Sequence, residues 1–336
     1  MKAAVHSGPG AIELRDWPEP LAGAGELVLR VRGCGLCGSD IAKFSGGAAS
    51  APAVFGHEVV GEVASVGPGV IRFAPGQRVV AAHHVPCFRC HYCRRGSPSM
   101  CRAFKQSNLD PGGFAELCRV PAANVEHATF AIPEHVTDEA ASFTEPLACC
   151  LRAIRRAGLG EGDTALVVGL GSIGCLFLQL LRLRGVRALG SDLVAERREL
   201  GRRLGAEVPD GDRALDAALR GATDGRGADA VIITAGGAAV LAWAAARVRD
   251  GGALHCFAGG QGDALPLALE ALYHREITIT ATYSSSPADL AEAFGLLSSG
   301  AVSVAGLISH RLPLGRLADG IALMERQEAV KVYIEP

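Results

Sequence analysis

Cys87, Cys90, Cys93 and Cys101 form a Cys-x2-Cys-x2-Cys-x7-Cys pattern on one short stretch of chain. Four thiolates so spaced can close a tetrahedron around Zn²⁺. A complete shell leaves no position for water or substrate, so such a site is structural. His91 lies inside the loop and is expected to face solvent, because four cysteines suffice. Ligand-type side chains recur in Gly35-Leu36-Cys37-Gly38-Ser39-Asp40, Phe55-Gly56-His57-Glu58 and Thr144-Glu145-Pro146-Leu147. Cys37, His57 and a carboxylate can bind a second Zn²⁺ and keep one position open, as catalysis requires. A lone cysteine or histidine is more often a packed side chain; the combination points to metal. His57 and Glu58 are adjacent, and a regular strand would aim them at opposite faces. Both reach one metal only if the backbone bends there.

A third constellation is Val167-Val168-Gly169-Leu170-Gly171-Ser172-Ile173-Gly174, an apolar run ending in Gly-x-Gly-x-x-Gly and leading into a helical pattern. Gly169 permits the tight turn, Gly171 lets a pyrophosphate approach the backbone, and Gly174 lets helix and strand pack closely. The helix start, at Ser172 and Ile173, offers unpaired N–H groups and a positive dipole end to phosphates. The glycines alone would be weak evidence. Asp192 stands 18 residues beyond Gly174, at the end of the next apolar run. An acid there can accept both ribose hydroxyls and repel a 2′-phosphate. NAD is therefore expected ahead of NADP. Arg197 and Arg198 compete with that reading, since an arginine here can hold a 2′-phosphate. Both also read as solvated helix residues, and Arg197 can stack on adenine.

These groups need two scaffolds, and the chain changes character near residue 150. Before it, short β-type runs such as Glu26–Val31 and Val59–Val66 alternate with Pro-Gly turns. That predicts an irregular, mostly β domain over 1–150, with the cysteine loop at 87–101. Residues 151–283 alternate strands with helices. Strands are expected at Thr164–Val168, Val186–Ser191, Ala206–Val208, Asp229–Thr234, Ala253–Phe257 and Ile277–Thr282. Helices are expected at Ser172–Arg184, Ala195–Leu204, Asp212–Arg220 and Ala238–Val248. The class is α/β, with a doubly wound parallel sheet. Residues 284–336 resume a mixed pattern, end on a strand at Val330–Ile334, and are expected to return to the first domain.

Composition narrows the class. A chain of 336 residues exceeds what one core usually holds, which favours two domains. A net charge of -2 gives no reason to expect nucleic acid or an anionic membrane as partner. No apolar run reaches the roughly 18 residues that span a bilayer. The start, Met1-Lys2-Ala3-Ala4-Val5-His6, lacks a signal peptide's apolar stretch, so a cytoplasmic location is the expectation. In such a setting the 11 cysteines are expected to bind metal or sit buried; Cys34, Cys118, Cys149, Cys150, Cys175 and Cys256 take the buried role. Trp17 and Trp243 read as packing residues. His83 and His84 precede the cysteine loop and read as core or surface before cleft.

With these residues in view, the chain resembles the zinc-containing medium-chain dehydrogenases over essentially its whole length. Its pattern is nearest the sorbitol (polyol) and threonine dehydrogenase branch. The carrying motifs are Cys-Gly-Ser-Asp at 37–40, Gly-His-Glu at 56–58, Val-Gly-Pro-Gly-Val at 66–70, the four-cysteine loop, Glu-Pro-Leu-Ala at 145–148 and Gly-Leu-Gly-Ser-Ile-Gly at 169–174. The resemblance implies a GroES-like catalytic domain, a Rossmann domain inserted before its C-terminal segment, and a cleft holding zinc and nicotinamide. It implies two zinc ions per chain, a small-molecule alcohol as substrate and a homodimer or homotetramer. It names Cys37 and His57 as ligands, with Glu58 direct in some members and supporting in others. Glu145 stands where classical alcohol dehydrogenases have a second cysteine; in polyol-type members this glutamate binds the metal or its water. Ser39 resembles the hydroxyl that accepts the substrate proton. Many relatives place a relay histidine five residues after the ligand cysteine, whereas this chain has Ala42. Lys43 and Phe44 follow as candidates to line the pocket. The expected activity is hydride transfer from a secondary alcohol of a polyol, sugar alcohol or cyclitol to NAD. An amino alcohol such as threonine, or a simple secondary alcohol, is the alternative. A zinc-free quinone or enoyl reductase would lack the ligand set, and a purely binding protein would not need it beside a nucleotide motif.

Overall fold

The computed structural model describes residues 1–46, 51–258 and 268–336. It divides into two compact units, Met1–Ala148 with Ser285–Pro336, and Cys149–Ser284. The division falls inside the helix Thr144–Ala157. No helix among the described residues is long and apolar enough to cross a membrane.

The first unit is built on two sheets. In the larger, the strands run in the order His310–Pro313, Val332–Glu335, Leu27–Gly35, Glu58–Val66, Arg78–Ala81 and Thr129–Ala131, and Leu117–Val120 also pairs with Leu27–Gly35. All pairings are antiparallel except the one between His310–Pro313 and Val332–Glu335. A smaller sheet joins Ala11–Asp16, Lys2–Gly8 and Ala53–Val54. The inward residues Leu27, Leu29, Val31, Val59, Val63, Val79 and Phe114 form one buried core with Val332 and Ile334. The C-terminal strand is thus an integral part of this unit's core.

One register carries the chemistry. Gly35 lies opposite Glu58, Cys34 opposite Val59, and Tyr333 opposite Gly35. The Leu36 N–H donates to the Val332 carbonyl at 2.9 Å. Cys37 therefore leaves a strand clamped on both sides. Any side chain at Gly35 would collide with the Glu58 carboxylate.

The second unit holds a five-stranded parallel sheet ordered Arg187–Ser191, Thr164–Val168, Ala228–Ile233, Val248–Cys256, Thr278–Ala281. The strand order reverses after the glycine-turn strand Thr164–Val168, which is where open α/β sheets bind ligands. Helices Ser172–Leu183, Ala195–Arg203, Asp212–Ala222 and Ala238–Ala245 alternate with the strands. The sixth expected strand, Ala206–Val208, is only a single parallel bridge between Leu189 and Glu207. Pro209 follows directly and has no N–H to continue a ladder. The Val208 carbonyl is taken by the Arg202 guanidinium at 3.0 Å.

Candidate active site

Cys37, His57 and Glu58 converge, with one ligand atom from each lying within 4.8 Å of the others. The backbone turns just before this pair, at Gly56, rather than between His57 and Glu58. Gly56 adopts φ +92, a left-handed conformation, and a Cβ there would meet the Phe114 backbone N at 2.9 Å. His57 thus precedes the regular strand, which starts at Glu58.

Two residues that the sequence did not single out complete the cluster. Asp40 is fully buried, and its Oδ1 lies 3.1 Å from His57 Nδ1 while its Oδ2 accepts the Cys37 N–H at 3.3 Å. A carboxylate on one ring nitrogen fixes the tautomer and leaves the other nitrogen with a free lone pair, the usual arrangement behind a metal-ligating histidine. Burial alone would raise the Asp40 pKa, but the facing His57 ring outweighs it and holds the carboxyl below its usual range. Lys331, 3% exposed, places its Nζ 2.6 Å from both oxygens of Glu58, which is 1% exposed. Burial opposes the lysine charge, and Glu58 restores it and holds its pKa above the ordinary value. A thiol, an imidazole and a carboxylate, each with a fixed neighbour, form a donor set that fits a divalent zinc ion.

His83 was expected in the core or at the surface. Its ring lies 4.6 Å from that of His57, and the His84 ring packs beside it, tilted by 39°, with centroids 3.7 Å apart. His84 Nδ1 in turn donates to the Ser107 carbonyl at 2.7 Å, and the ring packs on Phe104. Adjacency in sequence, His83-His84, was the available signal. Ser39 is exposed on the helix Gly38–Gly46. Ala42 and Lys43 are exposed on the same helix, and Lys43 Nζ sits 5.5 Å over the Phe55 ring. Phe44 is buried against His6 and Phe55, so it is a core residue and not a pocket wall. Glu145 is buried in the first turn of its helix and is not one of the three converging groups.

Cys87, Cys90, Cys93 and Cys101 also converge within 4.8 Å. Cys90 Sγ lies 3.5 Å from Cys93 Sγ, and Cys101 Sγ 3.5 Å from Cys87 Sγ. The short helices His91–Arg94 and Arg102–Gln106 flank the cluster, and His91 is exposed. Burial and the neighbouring thiols push Cys93 up, while backbone N–H groups overcome burial and push Cys101 down. Thiols packed this closely do not all ionise without a cation, and a tetrahedral zinc ion answers that need. Of the other cysteines, Cys34, Cys118, Cys149, Cys150 and Cys175 are buried, whereas Cys256 is half-buried.

In the second unit the glycine turn has the expected form. Gly169 takes φ +90, and a Cβ there would lie 2.7 Å from Thr234 Oγ1. A Cβ on Gly174 would collide with the Gly169 carbonyl, whereas nothing lies within 4 Å of one on Gly171. The helix Ser172–Leu183 starts from Gly171 with no side-chain cap, leaving its first N–H groups open to an anion. Asp192 follows the strand Arg187–Ser191, and its two oxygens accept the Leu170 N–H at 2.6 Å and the Val194 N–H at 2.8 Å. Acid and glycine turn are thereby one hydrogen-bonded object, and it fits a dinucleotide. Arg198 is turned to Asp210, 2.9 Å away, while Arg197 is half-buried nearby.

Comparison with known proteins agrees with this geometry. Residues 23–133 match the family model for the alcohol dehydrogenase GroES-like domain, and residues 172–299 the model for zinc-binding dehydrogenases. The chain is 32% identical to D-altritol 5-dehydrogenase of Agrobacterium fabrum, over 92% of this chain and 91% of that one. It is 29% identical to a sorbitol dehydrogenase of Halalkalibacterium halodurans, over 100% and 99% of the two chains. Among solved structures, a putative zinc-binding dehydrogenase from Sinorhizobium meliloti bound to NADP superposes with a TM-score of 0.88 at 29% identity, covering 100% of this chain and 99% of that one. The chain belongs to the zinc-containing medium-chain dehydrogenase/reductase family and is an oxidoreductase of the alcohol dehydrogenase type.

Proposed function

We propose that this enzyme oxidises a secondary alcohol of a polyol, sugar alcohol or cyclitol and passes the hydride to NAD. The observation that carries the reading is the Cys37–His57–Glu58 group backed by Asp40 and Lys331. Zinc bound there would supply the acidity that makes a substrate hydroxyl give up its proton. Cys37 and His57 would hold it. Glu58, held by Lys331, would supply the carboxylate of that set, and Glu145, buried in its helix, is the other carboxylate that the family resemblance implies. Ser39, two residues past Cys37, would take the substrate proton; Ala42 has no ring to carry it onward. A second zinc in the four-cysteine loop would hold that loop folded.

The oxygen-rich surroundings support the substrate class. Such a site can hydrogen-bond the neighbouring hydroxyl of a vicinal diol, and it discriminates against alcohols that lack one because its polar groups are left unpaired. The sorbitol and altritol dehydrogenases among the relatives point the same way. Asp192 supports NAD over NADP. The family resemblance supports a homodimer or homotetramer. Steady-state kinetics on ethanol, 2-butanol, threonine, sorbitol and an inositol, each with NAD and NADP, test the proposal. The highest kcat/KM is expected on a polyol. Ethanol in that place refutes the polyol class, and threonine replaces it with an amino alcohol.

A further inference from the structure

Arg198 occupies an ambiguous place. It belongs to the helix Ala195–Arg203, one turn beyond the loop that carries Asp192. Its side chain runs back toward the helix start. There Nη1 donates to the carbonyls of Asp192 at 3.0 Å and Leu193 at 2.9 Å. A cation this close to the ribose-binding acid is what a 2′-phosphate would seek. Yet the guanidinium is not loose. Its Nε lies 2.9 Å from Asp210 Oδ1. The same oxygen is 2.7 Å from Arg202 Nη2, and Arg202 Nε is tied to the Val208 carbonyl at 3.0 Å. Asp210 is therefore the hub of a two-arginine clasp lying behind the Asp192 loop.

We infer that Asp210 sets the choice between NAD and NADP at one remove, by clasping and neutralising Arg198 beneath the Asp192 loop. The inference rests on the NAD reading of Asp192 given above. Asp210 is a positioning residue here and touches no cofactor itself. Its side chain is 68% exposed and that of Arg198 21% exposed, so the pair contributes little to folding stability. Its electrostatic effect on a ligand is another matter. With Asp210 neutral, Arg198 becomes an uncompensated cation beside the adenosine ribose, where a 2′-phosphate brings negative charge and a 2′-hydroxyl brings none. NADP gains and NAD does not.

The test is cofactor binding by the zinc-loaded protein, read by fluorescence titration with NADH and NADPH at low and high salt. Asp210→Asn is expected to lower the ratio Kd(NADPH)/Kd(NADH) by about tenfold at low salt, the scale of one charge contact near a surface. High salt should shrink that effect, because the groups are exposed. Asp210→Glu keeps the charge and should hold the wild-type ratio. Adding Arg198→Leu to Asp210→Asn should abolish the gain. A merely structural clasp would lower the melting temperature and weaken both cofactors alike. An unchanged ratio in Asp210→Asn, while Asp192→Ala shifts it, overturns the inference alone. An Asp210→Glu ratio that moves as far as that of Asp210→Asn overturns it too. A wild type that already prefers NADPH overturns the NAD reading and the inference together.

Discussion

Asp40→Asn changes one atom of the site and should show most clearly how it is held. In the native protein each carboxylate oxygen accepts from one side: Oδ1 faces His57 Nδ1 at 3.1 Å and Oδ2 faces the Cys37 N–H at 3.3 Å. Asparagine has one acceptor and one donor. If its oxygen faces Cys37, its NH2 forces His57 Nδ1 to be the acceptor, and Nε2 then carries the hydrogen where a metal needs a lone pair. If its oxygen faces His57, its NH2 opposes the Cys37 N–H. Either way one buried donor is misplaced, at a cost of about 1–3 kcal/mol. Loss of a partner behind a metal-ligating histidine typically lowers metal affinity about 10- to 100-fold, an energy of similar size. The assay is zinc competition with a chromogenic chelator, in which the four-cysteine loop serves as an internal control. One class of zinc should weaken by that factor and the other should not move. A variant that holds both classes as tightly as wild type refutes the role given to Asp40.

Four further substitutions probe the scaffold. Gly174→Ala puts a Cβ against the Gly169 carbonyl, a backbone atom that cannot swing aside; NAD affinity should fall by at least about tenfold, with zinc content unchanged in metal analysis. Lys331→Met leaves Glu58 buried and uncompensated, so the denaturation midpoint should fall by the equivalent of about 3–5 kcal/mol, and Glu58→Gln on top should recover part of it. His255 is fully buried against Thr280, and burial, helped by the charge of Arg156, pushes its pKa from 6.5 to about 4. The folded pKa lies below the unfolded one, so the unfolded chain binds more protons between them. Stability is therefore lost as pH falls from 6.5 toward about 4, by at most about 3 kcal/mol from this group. His255→Gln should flatten that limb of a pH–stability profile, and an unaltered limb would refute the assignment.

The readable parts of the sequence were those where chemistry demands fixed residue types at short spacing. The four cysteines lie within one loop, and Gly169, Gly171 and Gly174 within one turn, so local pattern sufficed. Strand geometry called for a bend at His57-Glu58, and the structure has its left-handed residue one position earlier, at Gly56. Asp40 sat inside a quoted motif, yet its role was hidden because nothing in a sequence says that His57 folds back onto it. Lys331 lies 273 residues from Glu58 and meets it only through the pairing of the C-terminal strand beside Gly35. Long-range register of that kind leaves no local signal. Phe44 was misplaced for a related reason: helix position alone could not tell the face toward His6 and Phe55 from an open one. Ala206–Val208 has strand composition, but Pro209 and Arg202 limit it to one bridge. Arg198 read as either solvated or phosphate-binding, and its partner Asp210 lies beyond the helix that carries it.

The claim that a metal at Cys37 and His57 carries the reaction meets its most direct test in partial zinc removal. Purified enzyme is dialysed against a chelator while zinc content, turnover on the best polyol and NADH binding are followed on the same samples. The four-cysteine zinc, enclosed by thiolates, should stay. Turnover should vanish as the other zinc leaves, with the circular dichroism spectrum and NADH affinity unchanged, and added zinc should restore it. Full turnover after loss of that zinc would contradict the account, as would collapse of the fold in step with the loss of activity.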